Sequence, residues 1–365
     1  MTTQERNFLN AEEEIKSARA VSIYGAGIIA FNIALALKSL YRISVLHFYV
    51  SSQEQGTSYF GGMRASVFSE ADVQKDKLLL VAVPVEYHRA IETVLKKAGH
   101  DHYILIDNVL EYELMGRYFE KEYHFRLLEK EKPGQGADKK TVEVYMAKSI
   151  YDKILTQNCC YPEFVIPVQA GAALTSEKIE KLGDNTGCNL SIKNKYYSEM
   201  TVTYWAWKNR QADYMGICHY RRWLDIQDEL EQIETGNVDI ILPLPFVCSQ
   251  RASEQFMRYI SEEEYQIFCR ILKQTYPERM EEMLAVLEGK LIYNYNMFLA
   301  RREIFAEYCN FIFTVLEQVD GYYEKHNLEK RPRFLGYLAE ILTSTFFLLH
   351  QNRWRIVHAG KCWVA

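Results

Sequence analysis

What the chain of 365 residues lacks narrows its class. It has no apolar run of membrane-spanning length, and Met1 to Lys16 is polar and acidic with no signal-peptide core. The expectation is a protein with no transmembrane segment, cytoplasmic or peripheral at the inner face of a membrane. Its 8 cysteines (Cys159, Cys160, Cys188, Cys218, Cys248, Cys269, Cys309 and Cys362) show no paired metal-type spacing, and several lie in apolar runs. That pattern reads as reduced thiols, not as a zinc site or a disulfide framework. A net charge of −5 and a pI near 6.1 argue against a dedicated nucleic-acid binder. There is no G-x-x-x-x-G-K-[ST] loop, no H-E-x-x-H and no G-x-S-x-G elbow, which excludes the commonest phosphotransferase, zinc-protease and α/β-hydrolase signatures. No internal repeat is visible.

What is present is an ordinary globular balance, with 48% hydrophobic and 25% charged residues, over a length that favours two domains. The 26 tyrosines and 5 tryptophans suit sugar or base stacking as well as core packing. In the amino-terminal third, residues 20–24 read as a buried strand, followed by Gly25-Ala-Gly27-Ile-Ile-Ala30 and an apolar helix to Leu40. Strands over Ser44 to Val50, Leu78 to Val83 and Tyr103 to Ile106, with a helix from Glu86 to Ala98, complete a small doubly wound, Rossmann-like α/β domain. Gly25 and Gly27 are the candidate cofactor-binding residues. The second strand ends Phe48-Tyr-Val-Ser-Ser52 without the acid that bonds a ribose, which argues against NAD; the glycines also serve a tight turn alone. This region is similar to the small Rossmann-type domains fused to some bacterial surface-polysaccharide enzymes. Residues 1–128 form this domain, 129–141 read as a linker of charges, Pro and Gly, and 142–365 form the second domain.

The second domain alternates strands and helices again, a mixed-sheet α/β pattern. Strands are expected over Thr141 to Ala147, Tyr214 to Leu224, Val238 to Leu244 and Leu291 to Ala300. Helices are expected over Tyr196 to Asn209, twice within Glu262–Gly289, and over Glu303 to Val319 and Phe334 to His350. Trp354 to Val364 reads as a closing strand or an irregular tail. The most informative stretch is Asp213-Tyr-Met-Gly-Ile-Cys-His-Tyr-Arg-Arg-Trp-Leu224, an apolar strand ending in one imidazole, two guanidiniums and two aromatic rings. Strand ends hold ligands in open α/β sheets, and adjacent arginines suit a polyanion, most simply a diphosphate. On a continuous strand His219 and Arg221 face one side, Tyr220 and Arg222 the other. Either arginine alone also fits a surface ion pair.

Several motifs recur in order: Pro167-Val-Gln-Ala-Gly-Ala-Ala-Leu174, Asp184-Asn-Thr-Gly187, Lys193-Asn194, Tyr204-Trp-Ala-Trp-Lys-Asn209, Cys218-His-Tyr-Arg-Arg222, Tyr293-Asn-Tyr-Asn-Met297 and Gly336-Tyr-Leu-Ala-Glu340. On these motifs the segment from Glu143 onward resembles the domain-of-unknown-function family 4422, associated with bacterial capsular and exopolysaccharide glycosyltransferases. The resemblance implies a variant of the GT-A glycosyltransferase fold. It also implies a nucleotide-diphosphate sugar donor (UDP-linked galactofuranose or galactose) and a surface-polysaccharide or lipid-linked glycan acceptor. Other polysaccharide-assembly enzymes are the implied partners, and nucleic acid is not among them. Two positions depart from the family pattern: Ala147 stands where a histidine is expected before Lys148, and Cys188 where an acid is expected after Asp184-Asn-Thr-Gly187.

Glycosyl transfer expels a diphosphate, whose charge a metal or fixed cations must stabilise. No Asp-x-Asp stands beside the basic strand tip, so His219, Arg221 and Arg222 are the candidate clamp. No cofactor is required on this reading, no metal ligands are assigned, and weak divalent-metal dependence stays open. Lys148, Asp184, Asn185, Asn189, Asn194 and Tyr220 are the candidate donor-side residues, although Asx residues also build turns unaided and a lone lysine is often solvated. Trp205 and Trp207 diverge on a helix, so one belongs to the core and Trp207 is taken as the acceptor-side ring. Asn294 and Asn296, on one face of a strand, are acceptor-side candidates. Glu340, a carboxylate within an apolar helix, is the candidate general base or else an ion-pair partner of Arg331 or Arg333. Asp239 and Asp225 are weaker candidates for the base. The alternatives are an NAD(P)-dependent oxidoreductase working through the G-x-G-x-x-A domain and a non-catalytic polysaccharide-assembly protein.

Overall fold

A computed structural model describes residues 3–52, 59–60, 63–68, 77–134, 138–155, 160–236 and 238–364. The chain divides into two compact units, Met1–Phe125 with Trp363–Ala365, and Arg126–Cys362. Of the stretch expected as a linker, 135–137 lie outside the described residues. The rest is counted with the second unit, where the Lys140 N–H donates to the Glu234 carbonyl at 2.8 Å.

The first unit opens with α1 (Thr3–Ser17), β1 (Ala20–Tyr24) and α2 (Ile28–Tyr41). β2 (Ser44–Val50), β3 (Tyr59–Phe60), β4 (Met63–Val67), β5 (Leu79–Val81), α3 (His88–Lys97), β6 (Tyr103–Leu105) and α4 (Asn108–Tyr123) follow. The sheet order is β3-β4-β2-β1-β5-β6, parallel from β4 to β6, with β3 antiparallel at the edge. Ile91 and Leu95 of α3 cover the sheet face that presents Tyr24, Tyr49, Leu79 and Val81. Asp107 caps α4, its carboxylate accepting the Leu110 N–H at 2.8 Å. Gly25 follows β1 at φ +132°, and a Cβ there would stand 2.5 Å from the Ala82 carbonyl oxygen. The glycine is therefore required by the close approach of the chain leaving β1 to the chain leaving its parallel neighbour β5, whether or not anything binds beyond it. Gly27 caps α2 from extended backbone with nothing near its missing Cβ.

The second unit contains β7 (Val142–Lys148), β8 (Val165–Gln169), β9 (Leu182–Gly183), α5 (Asn194–Tyr197), α6 (Met200–Asn209), β10 (Tyr214–His219), β11 (Arg222–Asp225) and α7 (Leu230–Glu234). It continues with β12 (Ile240–Pro243), β13 (Phe246–Val247), α8 (Ala252–Phe256), α9 (Glu262–Thr275), α10 (Met280–Leu287), β14 (Leu291–Ile292), β15 (Phe298–Arg301), α11 (Arg302–Lys325), α12 (Phe334–Leu349) and β16 (Ile356–Trp363). The main sheet runs β11-β16-β12-β15-β10-β7-β8-β9, mixed in direction, with β10, β7, β8 and β9 parallel and β15 antiparallel to β10. Its core joins β15 to the two long helices: Phe298 lies 4.5 Å from the Tyr308 ring, which stacks on Phe347 at 5.6 Å. Each such buried ring contributes about 1.5–3 kcal/mol by leaving water, so α12 is held rigidly over the sheet.

Three expected elements are broken in the structure. The stretch Tyr214 to Leu224 is not one strand. The chain turns at Tyr220-Arg221, and His219 pairs antiparallel with Arg222 across the turn. The helix expected over Tyr196 to Asn209 is interrupted at Ser198, whose φ is +50°. The strand expected over Leu291 to Ala300 becomes β14 and β15, separated by Tyr295 and Asn296 at φ +81° and +47°. In each case tertiary contacts at the break outweigh the local pattern.

Gly25→Ala should destabilise the first unit by on the order of 2 kcal/mol, since the new methyl meets a carbonyl at a disfavoured φ. Gly27→Ala should change stability by less than about 1 kcal/mol. Denaturant unfolding followed by circular dichroism distinguishes the two.

Candidate active site

The parallel strands β7, β8 and β10 end together at Lys148, Gln169 and His219, and a cleft of about 750 Å³ opens at those ends. This is where a strand-ended site is expected in an open α/β sheet. The turn after β10 delivers His219, Tyr220, Arg221 and Arg222 to the same cleft. The alternation of a continuous strand would have split these four between two faces, and the two-residue turn is what reunites them.

The walls are charged. Lys148, Lys153, Lys195, Arg221, Arg222 and Arg333 supply six cationic groups, against the three carboxyls of Asp152, Glu199 and Glu340. Lys148 is ion-paired with Glu180. The Arg222 guanidinium lies 3.9 Å from the centre of the Tyr295 ring, a cation–π contact that fixes its plane. Arg221 sits over Tyr220, and the Tyr220 hydroxyl accepts the Lys153 N–H at 3.2 Å. Arg333 holds a left-handed φ of +65° at the start of α12, and its N–H donates to the Lys195 carbonyl at 2.8 Å. Tyr151 stands at the cleft with 88% of its surface exposed.

His219 donates its Nε2 proton to the Tyr295 carbonyl at 2.5 Å. Burial is the largest influence on it and lowers its pKa, with Arg222 acting in the same direction against Glu199. The ring is therefore neutral near pH 7, and the permanent positive charge of the expected clamp rests on Arg221 and Arg222. Glu340 behaves oppositely. Burial, reinforced by the carboxyl of Glu199, pushes it up to about 7 despite Arg222 and Arg333. No protein group among the described residues hydrogen-bonds its carboxyl. Arg331 is engaged elsewhere, donating to Glu264 at 2.9 Å and to the Tyr259 carbonyl at 2.9 Å. Asp152 is likewise raised by burial, opposed by the Ser149 N–H and by Lys148, Arg221 and Arg333. Among the described residues no three His, Cys, Asp or Glu side chains gather as a metal-ion set.

Of the other candidate residues singled out in the sequence, only Asn194 lines this cleft among the described residues. Asp184 is fully buried and accepts from Gly171 N at 2.9 Å, Ala172 N at 3.0 Å, Ser191 Oγ at 2.5 Å and Thr201 Oγ1 at 2.5 Å. Its carboxylate organises the loop after β8 and has no lone pair left for a ligand. Asn185 is exposed, and Asn189 closes a local turn through the Gly187 carbonyl and the Ser191 N–H. Asn194 does line the cleft, but its amide donates to the Ser198 carbonyl and to Thr201 Oγ1. Trp205 is the core ring, bonded to Thr186 Oγ1 at 2.9 Å. Trp207 stacks on Phe313 at 5.9 Å under the Lys208 ammonium and does not line the cleft. Asn294 and Asn296 do not share a strand face, because β14 ends at Ile292, β15 begins at Phe298, and neither residue lies in a strand. Asn296 is buried and serves its protein neighbours. The sequence reading missed Glu199, Asp152, Lys153 and Lys195. Glu199 carried a usable signal, a lone acid beside an apolar helix, the same signal that marked Glu340.

Asp184→Asn should destabilise the protein by roughly 2–4 kcal/mol, because the amide nitrogen turns one accepting position into a donor facing donors. Urea unfolding measures this. A carboxylate used only for ligand would leave stability unchanged.

No curated protein sequence matches the chain. One solved structure, titled as the apo structure of the bifunctional glycosyltransferase WbbM, is similar at 25% identity and a TM-score of 0.54. That match covers 62% of this chain and 45% of the other, so the chain spans less than half the length of that protein. The family model described as Domain of unknown function (DUF4422) matches residues 144–352, more than half of the chain and all but the edges of the unit that carries the cleft; the chain belongs to the DUF4422 family.

Proposed function

We propose that the chain is a glycosyltransferase that moves a sugar from a nucleotide-diphosphate donor to a surface-polysaccharide or lipid-linked glycan. One observation carries this reading: the cleft at the strand ends gathers six guanidinium and ammonium groups with a buried carboxyl, Glu340, whose pKa burial pushes up to about 7. The likeness to a structure titled as a glycosyltransferase supports it. The choice of uridine diphosphate, and of galactofuranose or galactose, rests on the family resemblance.

In the proposed reaction the acceptor oxygen bonds to the anomeric carbon as the carbon–oxygen bond to the diphosphate breaks. The electron pair leaves with the phosphate oxygen, where Arg221 and Arg222 face the growing charge. The acceptor proton passes to the Glu340 carboxylate as general base. Neutral His219 leaves Nδ1 as an acceptor, which suits a sugar hydroxyl better than a phosphate. Asp152 and the cations around it border the donor side, and Tyr151 offers a ring for a base or sugar to stack on. Fixed cations are proposed to meet the diphosphate charge, with the Asp-x-Asp metal motif absent from the strand tip.

A panel of nucleotide sugars, assayed for turnover with and without chelator, tests the reading. Uridine diphosphates should raise the melting temperature, and a panel with neither stabilisation nor turnover would sink it. Arg222→Ala should lower kcat by about 10²-fold or more while the fold is retained. Glu340→Gln should lower kcat by about 10²–10⁴-fold with KM little changed, and the wild-type rate should climb through pH 7 as Glu340 deprotonates. The same carboxyl binds its proton more tightly folded than unfolded. Its contribution to stability is complete below its ordinary pKa of 4.5 and is lost as pH rises through about 7. Glu340→Gln should therefore stabilise the protein more at pH 8 than at pH 5, by about 2 kcal/mol, as read by urea unfolding at the two pH values.

A further inference from the structure

The Tyr295-Asn296 turn is the strangest backbone near the cleft, two consecutive non-glycine residues at left-handed φ. Three of its groups contact residues that line the site. The Tyr295 carbonyl accepts from His219, and the Tyr295 ring lies under the Arg222 guanidinium. The Asn296 amide, 1% exposed, donates from Nδ2 to Glu199 Oε1 at 2.8 Å. The carboxylate of Glu199 can only accept, and this fixes the sense of the amide. Its Oδ1 accepts from Thr343 Oγ1 at 2.7 Å, and its Nδ2 also lies 3.5 Å from the Gly336 carbonyl. The Thr343 hydroxyl is in turn bonded to Tyr308 Oη at 2.8 Å.

Gly336, Glu340 and Thr343 are spaced by four and three residues, so they share one face of α12. A Cβ on Gly336 would meet Ser198 at 3.2 Å, which shows that α12 crosses the Ser198-Glu199 segment at close range there. Asn296 thus ties Glu199 to the helix face that carries Glu340.

We propose that Asn296 is a positioning residue whose amide holds Glu199 as the fixed carboxyl partner of Glu340. This deepens the proposed function and rests on Glu340 as its base. The consequence is chemical. With Glu199 held close, Glu340 keeps its proton until near neutrality and then accepts one readily, whereas an untethered Glu199 could swing away and let Glu340 ionise early. The other groups facing Glu340 are Arg222 and the neutral His219 from the turn after β10, Arg333 from the start of α12, and Tyr259 after α8. The two arginines favour the ionised form, so the opposing influence of Glu199 is what a variant would expose.

The test is an infrared pH titration of the carboxyl C=O band in the full chain without donor, the Glu340 component being assigned by its loss in Glu340→Gln. This readout does not require sugar transfer, so it separates failure of this inference from failure of the glycosyltransferase reading. Glu199→Gln should lower the Glu340 midpoint by about one pH unit, and Asn296→Ala should lower it by about half a unit or more. If Asn296→Ala does not fold, Thr343→Val keeps the amide and removes the hydroxyl that anchors its Oδ1, and its midpoint should also fall. An unchanged midpoint in Glu199→Gln would overturn the pairing. A lowered midpoint there, with an unchanged one in the Asn296 or Thr343 variant, would overturn the positioning role.

Discussion

The site depends on a short piece of backbone held where it would not rest by itself. A left-handed φ at a non-glycine residue costs on the order of 1–3 kcal/mol and persists only where the surroundings over-determine it. Here they do. Ser344 of α12 exchanges hydrogen bonds with both the N–H and the carbonyl of Tyr293 at 3.0 Å, standing in for a neighbouring strand just before the break. Thr343, one residue earlier, grips the Asn296 amide. The aromatic packing of Phe298, Tyr308 and Phe347 then fixes α12 against β15 immediately after the break. A helix and a strand edge together impose a conformation that neither would impose alone.

From that constraint the electrostatics of the cleft follow. The turn removes the Nε2 proton of His219 from play and burial keeps the ring neutral, so charge is concentrated on guanidiniums whose planes are set by aromatic rings. Arginine suits this task because it stays charged where a histidine does not. The carboxyls are differentiated by surroundings rather than by type. Glu199 accepts a hydrogen bond from the Asn296 amide, whereas Glu340 has the charges of Arg222 and Arg333 to set against its burial. Unlike environments around neighbouring carboxyls are a recurring way to divide acid and base work in one site.

The amino-terminal unit illustrates how a motif can be legible and still underdetermined. Its strand–turn–helix opening is readable because β1 is apolar at every position but Ser22 and the glycines follow it directly. Gly25 has a sufficient steric reason in the Ala82 carbonyl. Ser51, where a ribose-binding acid would be sought, bonds the Tyr24 hydroxyl at 3.0 Å instead. Periodicity likewise located most strands and helices of the second unit, since each buries a face whose spacing is imprinted on the chain.

The sequence by itself determined the alternating α/β class, the basic tip after an apolar strand, and the anomalous carboxylate in α12, because hydrophobic period and misplaced charge are local properties. Tertiary structure alone decided which polar residues face the cleft. Asp184 and Asn296 looked like ligand contacts because polar side chains in turns and strands need partners, and the fold supplied those partners internally. Glu199, Lys153 and Lys195 entered the cleft through the break at Ser198 and the loop after β7, and Arg222 rejoined His219 through a two-residue reversal. Those breaks are set by long-range contacts with α12 and β15, and no pattern in a stretch of chain records contacts that the stretch makes only after folding.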